Sequence, residues 1–305
     1  MGRCFGALLG IGSNGEERAK DAERVNGIPT RLLGATGERV SIIGVGGHHI
    51  GRPADAATGI RIIRKAIDEG ISFLDNAWCY HDGRSEEIMG RALRDGYRQR
   101  AFLMTKNHGR DGETFRRQLD ESLRRLQTDQ IDLLQFHEII HEGEPDRIFG
   151  EGAIEAAVAA RAAGKIRYIG FTGHRWPHLL RQMLEHGFWW DTLQMPVNVL
   201  DASFRSFSGE IMPIAQARGI GVIGMKGLAA GRIMQAGISV REALSYALSQ
   251  PVATLVCGME SLEVLDQNLR IVRDWQPMAM DEQIRLRERV AGAAADGHLE
   301  DYKTG

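Results

Sequence analysis

Phe102-Leu103-Met104-Thr105-Lys106, then the stretch Glu113–Leu126, then Ile131-Asp132-Leu133-Leu134-Gln135-Phe136-His137: a short apolar run, an amphipathic helical segment and a second apolar run follow in direct succession. Each run is too short for a buried helix and closes on a polar residue, so it reads as a strand covered on both faces. Strand, helix, strand at this spacing is a parallel βαβ unit. The pattern continues outward in both directions. Upstream lie the runs Ser41–Gly46 and Ser72–Ala77, and downstream Ile166–Thr172, Thr192–Val197, Gly221–Met225 and Thr254–Gly258. Helix-like segments Ala54–Glu69, Glu86–Arg94, Ala153–Ala163 and Ser239–Leu248 fall between them. Eight strands alternating with helices and no linker predict a (β/α)8 TIM barrel over residues 30–305. An open doubly wound sheet is the structural rival, because strand count does not fix closure. Thr30–Val40 reads as an N-terminal β-hairpin turning at Ala35-Thr36-Gly37 and closing the bottom of the barrel. Residues 1–29 are expected to form a flexible extension. Past Trp275 a further helix, Asp281–Ala291, leads into a polar end placed to cover a pocket.

At 305 residues the chain is long for one domain but ordinary for such a barrel. A formal net charge of −2 gives no electrostatic basis for binding nucleic acid or an anionic membrane. Three widely separated cysteines, Cys4, Cys79 and Cys257, suit a reducing, cytoplasmic setting rather than a disulfide framework. No apolar run approaches the ~18 residues a membrane helix needs. The terminal run Cys4–Ile11 has too thin a basic flank to be favoured as an export signal.

Asp75, Lys106 and His137 stand at successive separations of 31 residues, one strand-plus-helix unit each. All three therefore fall at the C-terminal ends of consecutive strands, the catalytic face of a barrel. Taken singly, Asp75 and Lys106 read more readily as a structural ion pair and His137 as a core histidine; together they read as a site. Tyr80, five residues after Asp75, joins them.

Two motifs point elsewhere. Gly10-Ile11-Gly12-Ser13-Asn14-Gly15 matches the dinucleotide fingerprint, yet Glu16–Val25 after it is polar and no ribose-binding strand follows. His137-Glu138-Ile139-Ile140-His141 matches the zinc-protease pattern, which requires both histidines on one helical face. Here a strand precedes it, and Gly143 and Pro145 shorten any helix. A zinc hydrolase remains only as a rival reading, and the expectation is no metal.

Asp75, Tyr80, Lys106 and His137 resemble the tetrad of the aldo-keto reductase family. The resemblance runs from Arg31 to about Asn268 and includes Leu33-Gly34-Ala35-Thr36-Gly37, Arg84-Ser85-Glu86 and Ser122-Leu123-Arg124-Arg125-Leu126. Gly224-Met225-Lys226 and Ala295-Asp296-Gly297 are similar to a bacterial branch whose substrates are obscure. The family implies hydride transfer between a nicotinamide and a small carbonyl or alcohol substrate. Tyr80 then acts as general acid and base, and a nearby Lys106 ammonium, held by Asp75, is expected to lower a phenol pKa that is ordinarily ~10. His137 orients the carbonyl. A cofactor-binding sensor or regulatory subunit with negligible turnover is the second possibility, although a pure binder has no use for Tyr80.

The resemblance also implies cofactor positions. Gly46, Gly47 and His48 follow the first barrel strand. Thr172 and Gly173 stand where the family usually has a Ser-Asn pair on the nicotinamide amide, Gln194 matches its second contact, and Met225 replaces an aromatic under the ring. Lys226, Gly227 and Leu228 border the pyrophosphate. Gly258, Met259 and Ser261, with Gln267 and Asn268, make the adenosine end. The family's usual cation for the 2′-phosphate is replaced by Met259-Glu260-Ser261. NADP(H) is expected with weak discrimination, NAD(H) being the alternative, and Arg270 is a candidate to reach the phosphate from the far end of its helix. His48, Trp78 and Cys79 are expected to line the substrate pocket, with Trp189 and Trp190 as weaker candidates.

Overall fold

The computed structural model describes residues 23–52 and 55–304. Eight parallel strands close on themselves: β4 (Ile43–Gly46), β5 (Phe73–Asp75), β6 (Phe102–Asn107), β7 (Ile131–Phe136), β8 (Ile166–Thr172), β9 (Thr192–Pro196), β10 (Gly221–Met225) and β11 (Thr254–Gly258), with β11 pairing back onto β4. That last pairing excludes the open sheet. The barrel strands are almost wholly buried, which is why they read as continuous apolar runs rather than alternating ones.

The predicted run Ser41–Gly46 is split. Ser41 ends a separate strand, and its hydroxyl donates to the Ile43 carbonyl at 2.7 Å while accepting from the Ser72 amide at 2.9 Å. The chain thus turns from hairpin into barrel at Ile42.

Below the barrel lies a small antiparallel sheet of β1 (Arg24–Val25), β2 (Ile28–Leu32) and β3 (Arg39–Ser41). It is the expected hairpin with one further strand, so ordered structure begins before residue 30. Gly10–Gly15 lies outside the described residues. Leu33 and Val40 pack into the bottom layer beside Phe73, Phe102, Leu133 and Ile223. Gly34 has φ +57°, and a Cβ there would lie 2.3 Å from the Gly221 nitrogen, so only glycine fits.

The main helices between strands are α1 (Ala56–Asp68), α2 (Arg84–Ala92), α3 (Gly112–Leu126), α4 (Ala153–Ala162), α5 (Pro177–Glu185), α6 (Met212–Ala217) and α7 (Val240–Ser249), with shorter helical turns such as Glu144–Gly150 among the loops. Caps set several starts: Asp55 accepts from the amides of Ala57 and Thr58, and Ser239 with Glu242 forms a capping box. After β11 come α8 (Leu262–Arg273) and α9 (Met280–Ala294). No helix among the described residues is long and apolar enough to cross a membrane.

The polar end anticipated in the sequence folds back over the loop after β9. Lys303, fully buried, donates to Asp201 at 2.8 Å, to Glu300 at 2.9 Å and to the Phe204 carbonyl at 2.8 Å. Leu299 joins Val199, Leu200 and Ile233 in an apolar cluster beneath. The C-terminal segment is fixed to the C-terminal end of the barrel by a buried charge network on an apolar base.

Candidate active site

Asp75 is the last residue of β5, Lys106 the penultimate one of β6, and His137 the first after β7, so three neighbouring strand ends deliver them to one place. Tyr80 follows on the loop after β5. The Lys106 ammonium pairs with Asp75 Oδ1, donates to the Asn76 carbonyl at 2.8 Å and lies 3.3 Å from the Tyr80 hydroxyl. Asp75 and Lys106 are both buried. Asp75 Oδ2 accepts from Gln194 Nε2 at 2.6 Å, so both carboxylate oxygens are engaged. The His137 and Tyr80 ring centres are 5.6 Å apart, edge to face.

The electrostatics differ from the expectation at Tyr80. Burial first, and then the Asp75 carboxylate, push the phenol well above its ordinary value. The ammonium's contacts with Asp75 and the Asn76 carbonyl offset its pull on the phenol, and a half-buried phenolate is costly. The Tyr80 phenol is therefore neutral across the physiological range. Burial holds His137 well below the usual histidine value, and the Lys106 charge adds to this, so its imidazole is neutral.

His48 and Cys79 come together with this group. The His48 ring centre is 5.2 Å from that of Tyr80, and Cys79 Sγ is 3.6 Å from His137 Nδ1. Trp78 does not. Its indole donates to Glu121 at 2.6 Å and lies by the Arg125 guanidinium, both on α3, because a half-buried N–H needs an acceptor and finds one outward. Trp190 is core against Phe171 and Phe188, and Trp189 is exposed.

Sequence reasoning missed His108, whose Nε2 lies 2.8 Å from His137 Nδ1. It also missed the rim formed by Glu138, His174 and Tyr302: His174 Nε2 meets Glu138 at 2.7 Å and its Nδ1 meets the Tyr302 carbonyl at 3.2 Å. The zinc-protease geometry is absent. Glu138 has φ +58°, the nearest helical segment begins at Glu144, and the Glu138 carboxylate meets His174. No signal for these contacts exists in local sequence, since the partners lie far apart along the chain.

Among the cofactor positions, Thr172 and Gln194 are register neighbours on β8 and β9, and both are buried. With its amide nitrogen on Asp75, Gln194 leaves Oε1 buried without a partner. A buried acceptor of this kind needs a donor, and a carboxamide NH2 supplies one, so the residues present fit a nicotinamide. Lys226 has φ +59° and sits 5.1 Å from the centre of the Tyr302 ring, where burial lowers its pKa. Met225 and Leu228 flank it half-buried, and Gly227 packs on Leu255.

At three of the proposed cofactor glycines, close packing already leaves no room for a side chain. A Cβ on Gly46 would meet the Cys257 carbonyl at 2.9 Å, one on Gly47 the Asp75 carbonyl at 2.5 Å, and one on Gly258 the His49 ring at 2.5 Å. At the adenosine end Ser261 caps α8, accepting from the Val264 amide at 3.3 Å. Met259 is fully buried and belongs to the main apolar core. Asn268 is also buried, whereas Gln267 is exposed in a groove of about 370 Å³ shared with Arg241 and Arg270. Arg270 is nine residues along α8 from Ser261, about 13 Å of helix, too far to pair with a phosphate at the helix start. Glu260 instead approaches His49, at 3.8 Å.

A sequence model described as the Aldo/keto reductase family matches residues 42–242. The L-galactose dehydrogenase of Arabidopsis thaliana is 26% identical over 303 residues, covering 84% of this chain and 92% of that protein. The Schizosaccharomyces pombe (strain 972) protein named aldo-keto reductase yakc [NADP(+)] is 34% identical over 161 residues, 48% of this chain and 45% of its own length. Among solved structures, the holo form of aldo-keto reductase AKR11C1 from Bacillus halodurans superposes with a TM-score of 0.73 over 86% of this chain and 96% of that one. At 24% identity this likeness speaks for the fold.

Proposed function

The chain belongs to the aldo/keto reductase family of NAD(P)H-dependent oxidoreductases, and on that premise we propose that it reduces a small carbonyl compound with Tyr80 as the proton donor. The observation that carries the reading is the Lys106 ammonium held between the Asp75 carboxylate and the Tyr80 hydroxyl. A bound nicotinamide supplies the hydride. Tyr80 gives its proton to the carbonyl oxygen, and the negative charge left on the phenol oxygen faces an ammonium 3.3 Å away. Asp75 keeps that ammonium charged and fixed. Neutral His137 donates a hydrogen bond to the same carbonyl oxygen and steers it toward Tyr80. The protonated phenol is the form that carbonyl reduction uses, and oxidation of the alcohol would use the phenolate.

Thr172 and Gln194 are the residues proposed to grip the nicotinamide amide. Lys226 would lie by the pyrophosphate, and Ser261 with the free amides starting α8 by the adenosine phosphate. NADP(H) is the proposed cofactor. The relative whose name carries NADP(+) supports this, whereas the missing cation near Ser261 limits the preference over NAD(H). His48, His137 and Cys79 around Tyr80 favour a polar carbonyl substrate. The test is the pure protein with NADPH or NADH and a panel of aldehydes, ketones and sugars. Oxidation of the reduced cofactor by at least one polar aldehyde is expected; cofactor binding without turnover on any of them would point to the sensor instead.

A further inference from the structure

Cys79, His108 and His137 come from the loops after β5, β6 and β7, and three potential ligand atoms converge there. Cys79 Sγ lies 3.2 Å from His108 Nε2 and 3.6 Å from His137 Nδ1, and the two nitrogens are 2.8 Å apart. Among the described residues this is the set of histidines, cysteines and acids whose ligand atoms fall within a single ion's reach. With Zn–S ≈ 2.3 Å and Zn–N ≈ 2.0–2.1 Å, tetrahedral geometry sets the ligand atoms about 3.5 Å apart for S and N and about 3.3 Å for N and N. The distance from Cys79 Sγ to His137 matches at 3.6 Å, and that to His108, at 3.2 Å, is about 0.3 Å short. The two nitrogens need to separate by about half an ångström, which is the hydrogen bond between them opening to admit an ion.

We propose that Cys79, His108 and His137 bind one zinc-class divalent cation through a thiolate and two imidazole nitrogens, with a fourth position open. The ligand set is neither the His-Glu-x-x-His motif nor a hard oxygen site. Thiolate plus imidazole selects borderline cations of the zinc type over magnesium or calcium. On binding, the Cys79 thiol proton leaves to solvent, His108 and His137 contribute lone pairs, and no electron is transferred. Lys106 and Arg110 are the cations nearest the site, and their pairing with Asp75 and Glu144 reduces the repulsion an added cation meets there. The sequence reading assigned no metal, because Cys79 and the two histidines sit on three separate loops and only folding joins them. Where the proposed function holds, an ion that captures His137 removes the group orienting the carbonyl, so added zinc inhibits reversibly; this consequence rests on that reading, while the site itself does not.

The full-length protein, stripped with chelator and dialysed, is titrated with Co2+ as a spectroscopic probe and with Zn2+ as competitor. One Co2+ per chain is expected, with a thiolate-to-cobalt charge-transfer band that Zn2+ abolishes. C79S loses the band, and H108N weakens binding by more than the roughly tenfold that even an outer-shell change produces. H141N leaves both unchanged, and NADPH binding by fluorescence quenching reports that the variants are folded. Absence of stoichiometric Co2+ binding, or binding undiminished in C79S and H108N, overturns the site. A bound ion that leaves carbonyl reduction untouched refutes the inhibition alone. If no carbonyl is reduced, the cobalt band still decides the site, so the two readings fail separately.

Discussion

Replacing Asp75 by Asn removes the counter-charge of a buried ammonium without changing its volume. Lys106 is 1% exposed and Asp75 2%. Removing one partner of a buried ion pair costs about 3–5 kcal/mol. An upper bound comes from the alternative of discharging the lysine: a free amine titrates near ~10.4, so removing its proton at pH 7 costs about 4.6 kcal/mol, and the loss cannot exceed that. The two figures agree, and they carry a sign. In the variant the folded state resists the charged lysine while the unfolded state accepts it, so unfolding takes up protons and stability recovers as pH rises toward 10. Urea melts of Asp75→Asn against wild type at pH 7, 8 and 9 measure this. The expected deficit is about 3–4.6 kcal/mol at pH 7, shrinking by up to ~1.4 kcal/mol per pH unit. Gln194 also loses its charged acceptor, so nicotinamide binding weakens in parallel. A deficit under about 1 kcal/mol at pH 7, or one independent of pH, would mean that Lys106 and Asp75 are not the desolvated pair described.

Lys303→Met strands Asp201 and Glu300, both buried, against each other; a local loss of about 3–5 kcal/mol is expected as faster hydrogen exchange over residues 298–304, and unchanged exchange would sink the idea. Because burial depresses His108 and His137 below the ordinary value of 6.5, the folded state binds fewer protons than the unfolded one just below that pH. Stability is then full above 6.5 and falls as the solution is acidified through it, so His137→Asn is expected to flatten the dependence of Tm on pH between 6.5 and 5. Glu260→Arg restores a cation beside Ser261 and is expected to raise the preference for NADPH over NADH by about ten- to thirtyfold, or ~1–2 kcal/mol, in paired fluorescence titrations; no change would remove Glu260 from the adenosine end.

Much of this was legible because barrels are periodic. Strands β8, β10 and β11 run between the residues read from the sequence, since apolar runs bounded by glycine or polar residues carry their own limits. The 31-residue step brought Asp75, Lys106 and His137 to adjacent strand ends for the same reason. What sequence could not disclose depends on contacts between distant segments. Trp78 turns outward because Glu121 and Arg125 wait on α3. Lys303 is anchored by Asp201, 102 residues away. The sign of the shift at Tyr80 was misread from charge proximity: Lys106 is as near as expected, yet burial of the hydroxyl and the Asp75 carboxylate outweigh it. Residue identity announces which charges meet, whereas desolvation depends on everything packed around them.

Single-turnover reduction by Tyr80→Phe tests the central claim most directly. The substitution removes one oxygen, the atom 3.3 Å from the Lys106 ammonium, and leaves the ring among His48 and His137. With NADPH prebound and a carbonyl substrate taken from the panel, the hydride-transfer rate is expected to fall by ~10²-fold or more, the scale for losing a positioned general acid, while NADPH affinity stays nearly unchanged. A variant that binds cofactor and reduces the same substrate at the wild-type rate would contradict the account.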